Sequence, residues 1–221
     1  MEQTVKILSI TPVTHNVKQI RVEKPAGYEF IPGQATEVSI NKPGWLEEKR
    51  PFTFTCLQDD PYLEFVIKSY RDHNGVTNEI DHLVPGDELV IRDVWGAINY
   101  RGEGYFIAGG AGITPFIAIL RDLHKQNLLK GNRLIFSNRT PGDIILKDEL
   151  QGMLGDNAEF IVTGEESNGY HRQRIDRPYL ESQISDFSKH FYICGPDKMV
   201  SDLNATLLDL GAQPDAVVFE K

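Results

Sequence analysis

A chain of 221 residues can form one large domain or two of about 100 residues each. With 40% hydrophobic and 25% charged residues, it has enough apolar material for a real core and the surface of an ordinary soluble protein. A formal net charge of −9 argues against nucleic acid or an anionic membrane surface as a general partner.

From the N-terminus, short runs rich in Val, Ile, Phe and Thr alternate with turn signals. The spacing predicts strands over Thr4–Ile10, Val17–Glu23, Ala35–Ile40, Phe52–Leu57, Tyr62–Lys68 and Glu88–Arg92. Turns such as Pro25-Ala26-Gly27, Ile31-Pro32-Gly33 and Pro85-Gly86-Asp87 separate them. Strands at this interval suggest a small antiparallel β-barrel, with a single helical turn after Gly75. Further along, the rhythm becomes strand, then helix. Strands are predicted over Tyr105–Ala108, Leu134–Ser137, Phe160–Thr163 and Phe191–Cys194, and helices over Pro115–Gln126, Ile145–Met153, Tyr179–Ile184 and Lys198–Leu210. Such alternation predicts an α/β domain, a parallel sheet with helices on its faces. The texture changes between Asn99 and Glu103, which divides the chain into domains of residues 1–99 and 100–221.

Cys56 and Cys194 are the only cysteines, too few for a disulfide framework or for the thiolates of an iron–sulfur cluster, and no metal site is expected. Met1–Lys6 has no apolar h-region, so a cytoplasmic protein is expected. The apolar stretch Tyr105–Leu120 is broken by glycines, a threonine and a proline, and falls short of a membrane span.

Four short motifs carry the chemistry. Arg50-Pro51-Phe52-Thr53 sets a cation, an aromatic ring and a hydroxyl side by side, a set that a flavin needs; read structurally, it is an alternating strand with Phe52 turned inward. Ile67-Lys68-Ser69-Tyr70, followed by Gly75-Val76-Thr77, offers a small anion site, or else a surface loop with a capping threonine. Gly109-Gly110-Ala111-Gly112-Ile113-Thr114-Pro115 is a glycine-rich turn between strand and helix. Its amides can approach a diphosphate, or its glycines can serve packing alone. Thr114 suits the N-cap and Pro115 the first helical position. Cys194-Gly195-Pro196, with Met199 in the helix that follows, bends the chain over the sheet's carboxyl edge, where open α/β folds bind ligands; a buried structural cysteine is the other reading.

In this order the four motifs resemble the ferredoxin–NADP reductase superfamily over nearly the whole chain, from Thr4 to Glu220, and most of all its compact bacterial flavodoxin or ferredoxin reductases and NAD(P)H-flavin reductases. The resemblance implies an N-terminal FAD-binding barrel and a C-terminal nicotinamide-binding α/β domain. Arg50, Pro51, Phe52 and Thr53 would meet the flavin diphosphate, ring and N5 edge. Ile67, Lys68 and Tyr70, with Gly75, Val76 and Thr77, would hold the rest of the flavin nucleotide. Gly110, Gly112, Thr114 and Pro115 would hold the nicotinamide half of the second cofactor, and Cys194, Gly195, Pro196 and Met199 would lie by its ring. Thr53, Cys194 and Glu220 are the candidate catalytic residues, Glu220 matching a glutamate many members place near the flavin.

Two positions depart from the family pattern. Thr77 or Asn78 stands where many members have a serine, and the chain stops at Lys221 where many end in an aromatic residue, so the flavin face is either open or covered by Phe219. An acidic reader of the ribose 2′-OH is missing after the strand that ends in Ser137-Asn138-Arg139. Arg139, helped by Arg172 and Arg174, suits a 2′-phosphate and favours NADPH, although Asn138-Arg139 also resembles members that use NADH. The expected function is an FAD-dependent oxidoreductase that takes hydride from NAD(P)H. Its electrons pass to a separate carrier such as flavodoxin, ferredoxin or an oxygenase component, and a monomer is expected. The alternatives are an NAD(P)H-flavin or quinone reductase, a non-catalytic module, or the electron-input subunit of a larger complex.

Overall fold

The computed structural model describes residues 2–70, 75–96, 98–164 and 172–213, and the backbone of 217–219. The first sheet contains β1 (Gln3–Thr14), β2 (Val17–Glu23), β3 (Ala35–Ile40), β4 (Arg50–Thr53), β5 (Tyr62–Lys68) and β6 (Glu88–Trp95). All its pairings are antiparallel, in the order β4-β3-β6-β1-β2-β5. A bridge between Phe54 and Phe65 joins the first strand's end to the last strand, and the Thr55 N–H donates to the Glu64 carbonyl at 2.9 Å, so the sheet closes into a barrel. Period-two alternation explains the interior. Leu63, Phe65 and Ile67 of β5 fill it with Phe54, Phe30, Val38 and Ile91, while Glu64, Val66 and Lys68 point outward. Helix α1 (Val76–Ile80) plugs one end through Val76 and Ile80.

The second sheet is parallel, in the order β11-β10-β7-β8-β9. It contains β7 (Gly104–Gly109), β8 (Arg133–Asn138), β9 (Ala158–Val162), β10 (His190–Cys194) and β11 (Val217–Phe219). Helices α2 (Thr114–Lys125), α3 (Lys147–Leu154), α4 (Arg177–Gln183) and α5 (Asp197–Asp209) connect and cover the strands. Sequence spacing places most elements within a few residues. It ends β4 too late, at Leu57, and β6 too early, at Arg92, and it does not foresee β11. Among the described residues no helix is long and apolar enough to cross a membrane.

The two sheets share a core. Val17 and Val66 from the barrel and Ile98 from the connector join Phe106, Phe116, Leu120 and Phe136 in one apolar cluster. Beside it lies a buried ionic cluster that spans both units. Glu64 is only 1% exposed and accepts from Arg21 at 2.9 Å and from Arg121 of α2 at 2.6 Å. Arg121 also donates to the Thr55 carbonyl at 2.6 Å and holds Glu149 of α3 through two bonds, at 2.6 and 3.0 Å. Burial by itself pushes the Glu64 carboxyl up. The attraction of Arg121 and hydrogen bonds from Arg121, Arg21 and Thr55 outweigh it and hold the group below the ordinary carboxylate value.

A carboxyl depressed in the folded state stabilises fully above its unfolded value, 4.5, and loses that contribution as pH falls through the folded value. The Glu64→Gln protein should therefore be less stable than the wild type near neutral pH, and the gap should narrow as pH falls below 4.5. Urea unfolding across that range checks it; a gap of constant size contradicts it.

Candidate functional site

The motifs converge on one cleft of about 610 Å³ between the barrel and the parallel sheet. Strand β4 brings Pro51, Phe52 and Thr53 to its wall. The end of β5 brings Ile67 and Lys68, then Tyr70, which is 49% exposed, and α1 adds Thr77. From the other side come Gly110, Gly112 and Thr114 at the end of β7, and Cys194, Gly195 and Pro196 at the end of β10.

A second cavity, of about 490 Å³, opens along the carboxyl edge of the parallel sheet. Asn138, Arg139, Arg174 and Met199 line it, and it shares Lys68, Gly110 and Pro196 with the first. Lys68 thus stands between the two spaces, its ammonium 5.9 Å from the centre of the Tyr70 ring. Asn138 is 5% exposed, and neither of its amide atoms has a hydrogen-bond partner. Buried amides are almost always paired, so this one fits a polar ligand, such as a nucleotide, lying in the cavity.

The glycines have distinct physical roles. A Cβ on Gly112 would lie 2.3 Å from the Cys194 carbonyl oxygen and 2.6 Å from the Gly195 nitrogen, so only glycine lets these two loops touch. A Cβ on Gly109 would lie 2.5 Å from the Met199 sulfur. Gly110 takes φ +54° with open space around it, which lets the chain turn left-handed into a short 3₁₀ turn before α2. The Cys194–Met199 segment and the glycine-rich turn are therefore built as one surface.

Several sequence expectations need correction or fall outside the cleft wall. Thr114 is not the N-cap: α2 begins at Thr114 itself, its cap residue is Ile113, and the Thr114 hydroxyl donates to the Ala111 carbonyl at 3.1 Å. The preceding 3₁₀ turn displaces the helix start. Pro115 sits in the first turn but is buried. Val76 is buried among barrel residues, and Gly75 serves as the cap of α1. Arg50 is exposed; it donates to the Lys49 carbonyl at 2.6 Å and lies 3.5 Å from Glu48. Arg172 forms an isolated bridge to Val162 and is absent from both walls. Glu220 lies outside the described residues, as does the Phe219 side chain.

Trp95 lines the cleft, 42% exposed, and sequence reading missed it because β6 was ended at Arg92. The signal was present: Val94-Trp95 continues the alternation up to Gly96. Lys198 and Asp202 of α5, paired at 2.9 Å on the second cavity, carried no motif that could have flagged them.

A family model for an FAD-binding domain matches residues 2–91, and one for an oxidoreductase NAD-binding domain matches residues 106–205. The chain is 27% identical to the reductase component of propane 2-monooxygenase from Rhodococcus jostii (strain RHA1), over 98% of this chain and 62% of that protein. It is 28% identical to NADH-cytochrome b5 reductase 1 of Eremothecium gossypii, over 99% of this chain and 83% of the relative. The chain thus spans less than two thirds of the first of these two relatives. Its fold is shared with the FAD/NAD-binding domain of nitric oxide dioxygenase from Vibrio cholerae O1 biovar El Tor, with a TM-score of 0.87, 19% identity and coverage of 99% and 97% of the two chains. It is also shared with a ferredoxin NADP+ reductase from Neisseria gonorrhoeae with bound FAD and NADP, with a TM-score of 0.84, 21% identity and coverage of 99% and 98%. An FAD-binding domain followed by an NAD-binding domain, on a closed antiparallel barrel joined to a parallel sheet, places the chain in the ferredoxin–NADP reductase superfamily, to which it belongs.

Proposed function

We propose that this chain is an NAD(P)H-dependent flavoprotein reductase whose electrons pass to a separate carrier. The observation that carries the reading is the shared cleft, where Phe52 and Thr53 of the barrel face the same space as Gly112 and Cys194 of the parallel sheet. When bound, the two cofactors supply the redox chemistry, hydride passing from nicotinamide C4 to flavin N5. Phe52 is the stacking surface for the flavin ring and Thr53 the hydrogen-bonding group at its reactive edge. Lys68, Tyr70 and Thr77 hold the flavin nucleotide from the cleft wall, and Arg50, exposed just beyond that wall, adds its charge. Gly110 and Gly112 bring backbone close to the nicotinamide side, Cys194 borders it, and Asn138 satisfies its buried amide on the same nucleotide. The functional boundary between FAD and NAD(P) domains falls at Asn99–Glu103.

NADPH is the preferred donor in this reading. Arg139 and Arg174 line the second cavity, a pair of guanidiniums suited to a 2′-phosphate. Replacing both by alanine should raise the NADPH KM about tenfold and shift the NADH KM less than about twofold. Steady-state assays with each donor check this; equal shifts for both would remove the 2′-phosphate reading. The carrier is a flavodoxin, a ferredoxin or an oxygenase component. Relatives named as reductase components of propane 2-monooxygenase and of a naphthalene 1,2-dioxygenase system support this class of acceptor. The protein acts as a cytoplasmic monomer.

The deciding experiment is the visible spectrum of the purified chain supplied with FAD, taken anaerobically before and after NADH or NADPH. A flavin band that one donor bleaches supports the reading. A protein that takes up no FAD, or a yellow protein that neither donor bleaches, overturns it.

A further inference from the structure

The buried ionic cluster has a geometric relation to the cleft that goes beyond stability. Helix α2 carries Thr114 on the cleft wall and Arg121 in the cluster. They are seven residues apart, so at 100° per residue they lie on one face of the helix, about 10 Å along its axis. Ala118 lies on that stripe and is fully buried, and Lys125 extends it to pair with Asp59 of the barrel. Strand β5 has the same layout. Glu64, Val66 and Lys68 share its outward face; Glu64 sits in the cluster and Lys68, about 13 Å away, lies on the cleft. A third rail is shorter: Thr53 is on the cleft, and the Thr55 carbonyl accepts from Arg121.

Each of these rails therefore has one end in the cluster and the other at the reacting site. Interfaces between domains of one chain slide or hinge by default unless something fixes them. Here the shared apolar cluster holds the halves together without direction, and Arg121 supplies the directional tie: it binds the barrel at two acceptors and is held from behind by the bidentate carboxylate of Glu149. Two guanidiniums and two carboxylates balance the charge, and Thr55 supplies a further donor to Glu64 at 3.0 Å.

We propose that the Arg21–Glu64–Arg121–Glu149 cluster is an interdomain clamp that sets the distance and tilt between the nicotinamide side and the flavin side of the cleft, which makes Arg121 a positioning residue for hydride transfer. This rests on the reductase reading above. Hydride transfer is steep in geometry, and an error of about 1 Å in approach can lower a rate roughly a hundredfold. Binding of either cofactor alone is less sensitive, because each touches chiefly its own domain.

The test uses the full FAD-loaded chain as wild type, Arg121→Gln, Arg121→Lys and Glu149→Gln. Anaerobic stopped-flow gives the rate of flavin reduction at saturating donor and the donor Kd, and the FAD content of each protein is measured separately. Hydrogen exchange of the cofactor-free proteins follows the amides of β5 and α2. The clamp predicts that Arg121→Gln retains FAD, keeps its donor Kd within about threefold, and reduces flavin at least tenfold more slowly. Arg121→Lys should recover part of the rate. Exchange should rise in β5 and α2 and stay unchanged in β8 and β10. Glu149→Gln, a partly exposed position that leaves Glu64 paired, should slow reduction about threefold, and it decides the matter if Arg121→Gln does not fold. Wild-type reduction rates per bound FAD in the folded variants, or a loss of rate matched by an equal loss of donor affinity, would overturn the clamp. So would unchanged exchange in β5 and α2. A wild-type flavin that neither donor bleaches instead overturns the reductase reading, while the exchange data still show whether Arg121 couples the domains.

Discussion

The Gly112→Ala protein will stay yellow and lose nearly all bleaching by NAD(P)H. The added Cβ would lie 2.3 Å from the Cys194 carbonyl oxygen, 2.5 Å from its carbon and 2.6 Å from the Gly195 nitrogen. All three are backbone atoms, so no flexible side chain can swing aside. The segment after β10 must move, taking Cys194 and Pro196 away from the cleft wall that they form. A displacement of about 1 Å at the reacting centre lowers turnover on the order of a hundredfold. Phe52, Thr53, Lys68 and Tyr70 come from the barrel side and are untouched, so FAD should remain. Gly152→Ala is the internal control. It lies in α3 on neither cavity wall, and nothing lies within 4 Å of the new methyl. It should keep its activity. Stopped-flow reduction of both variants checks the contrast, and a Gly112→Ala rate within tenfold of wild type would sink the argument.

Phe54→Ala should lower the melting temperature by roughly 10 °C and weaken FAD retention at the same time. The ring is fully buried, stacked on Phe30 at 4.4 Å between centroids, tilted against Phe65 at 5.3 Å and edge-on to Tyr28 at 5.9 Å. Removing a buried phenylalanine ring costs about 3–5 kcal/mol, and in a chain of this size each kcal/mol moves the midpoint by about 2–4 °C. The cofactor effect follows from position. Phe54 is the next residue after Thr53, and its backbone holds the β4 end through a bridge to Phe65 and an N–H bond to the Gln34 carbonyl at 3.0 Å. Phe54→Leu, which keeps most of the volume, should recover more than half of the lost stability. Scanning calorimetry with bound-FAD assays tests both effects; a shift under about 3 °C would mean that the barrel interior collapses to fill the space.

Strands β2, β3 and β5 were legible to the residue because each is a short run rich in β-branched or aromatic residues bounded by turn residues. The stripe of Phe116, Ile117, Ile119, Leu120 and Leu123 made α2 equally plain. Other features depend on partners far along the chain. Phe54 and Thr55 look like strand residues; the Phe54 amide makes one further rung, to Gln34 just before β3, but the Thr55 amide turns to Glu64 of β5, so β4 ends early. Three residues of β11 carry too little pattern to be seen before their pairing with β10 is known. Glu64 falls on what alternation reads as the solvent face of β5, and nothing local announces the arginine of a distant helix that buries it. The sequence leaves the glycine-rich turn open to two readings, a diphosphate cradle or glycines kept for packing; in the structure Gly112 is needed for the contact with Cys194. That need exists whatever the cleft holds. Motif order made the convergence of Thr53, Lys68, Gly112 and Cys194 legible; Trp95 was hidden by a misplaced strand end.

Val17 and Val66 complete an apolar cluster whose other members belong mostly to the parallel sheet and its helices. Cut free of the barrel, the α/β half would lose Val17 and Val66 from that cluster and would bare the face of α2 where Ile119 lies beside Gly33 and Arg121 reaches Glu64. It would be a sticky fragment, prone to aggregate, and not a portable nucleotide-binding unit. The two halves are thus bound to a common fate in folding and in descent. A gene rearrangement that moves this module intact keeps a closed core, whereas a breakpoint between the halves exposes one, so the pair is the smallest piece of this chain suited to recombination.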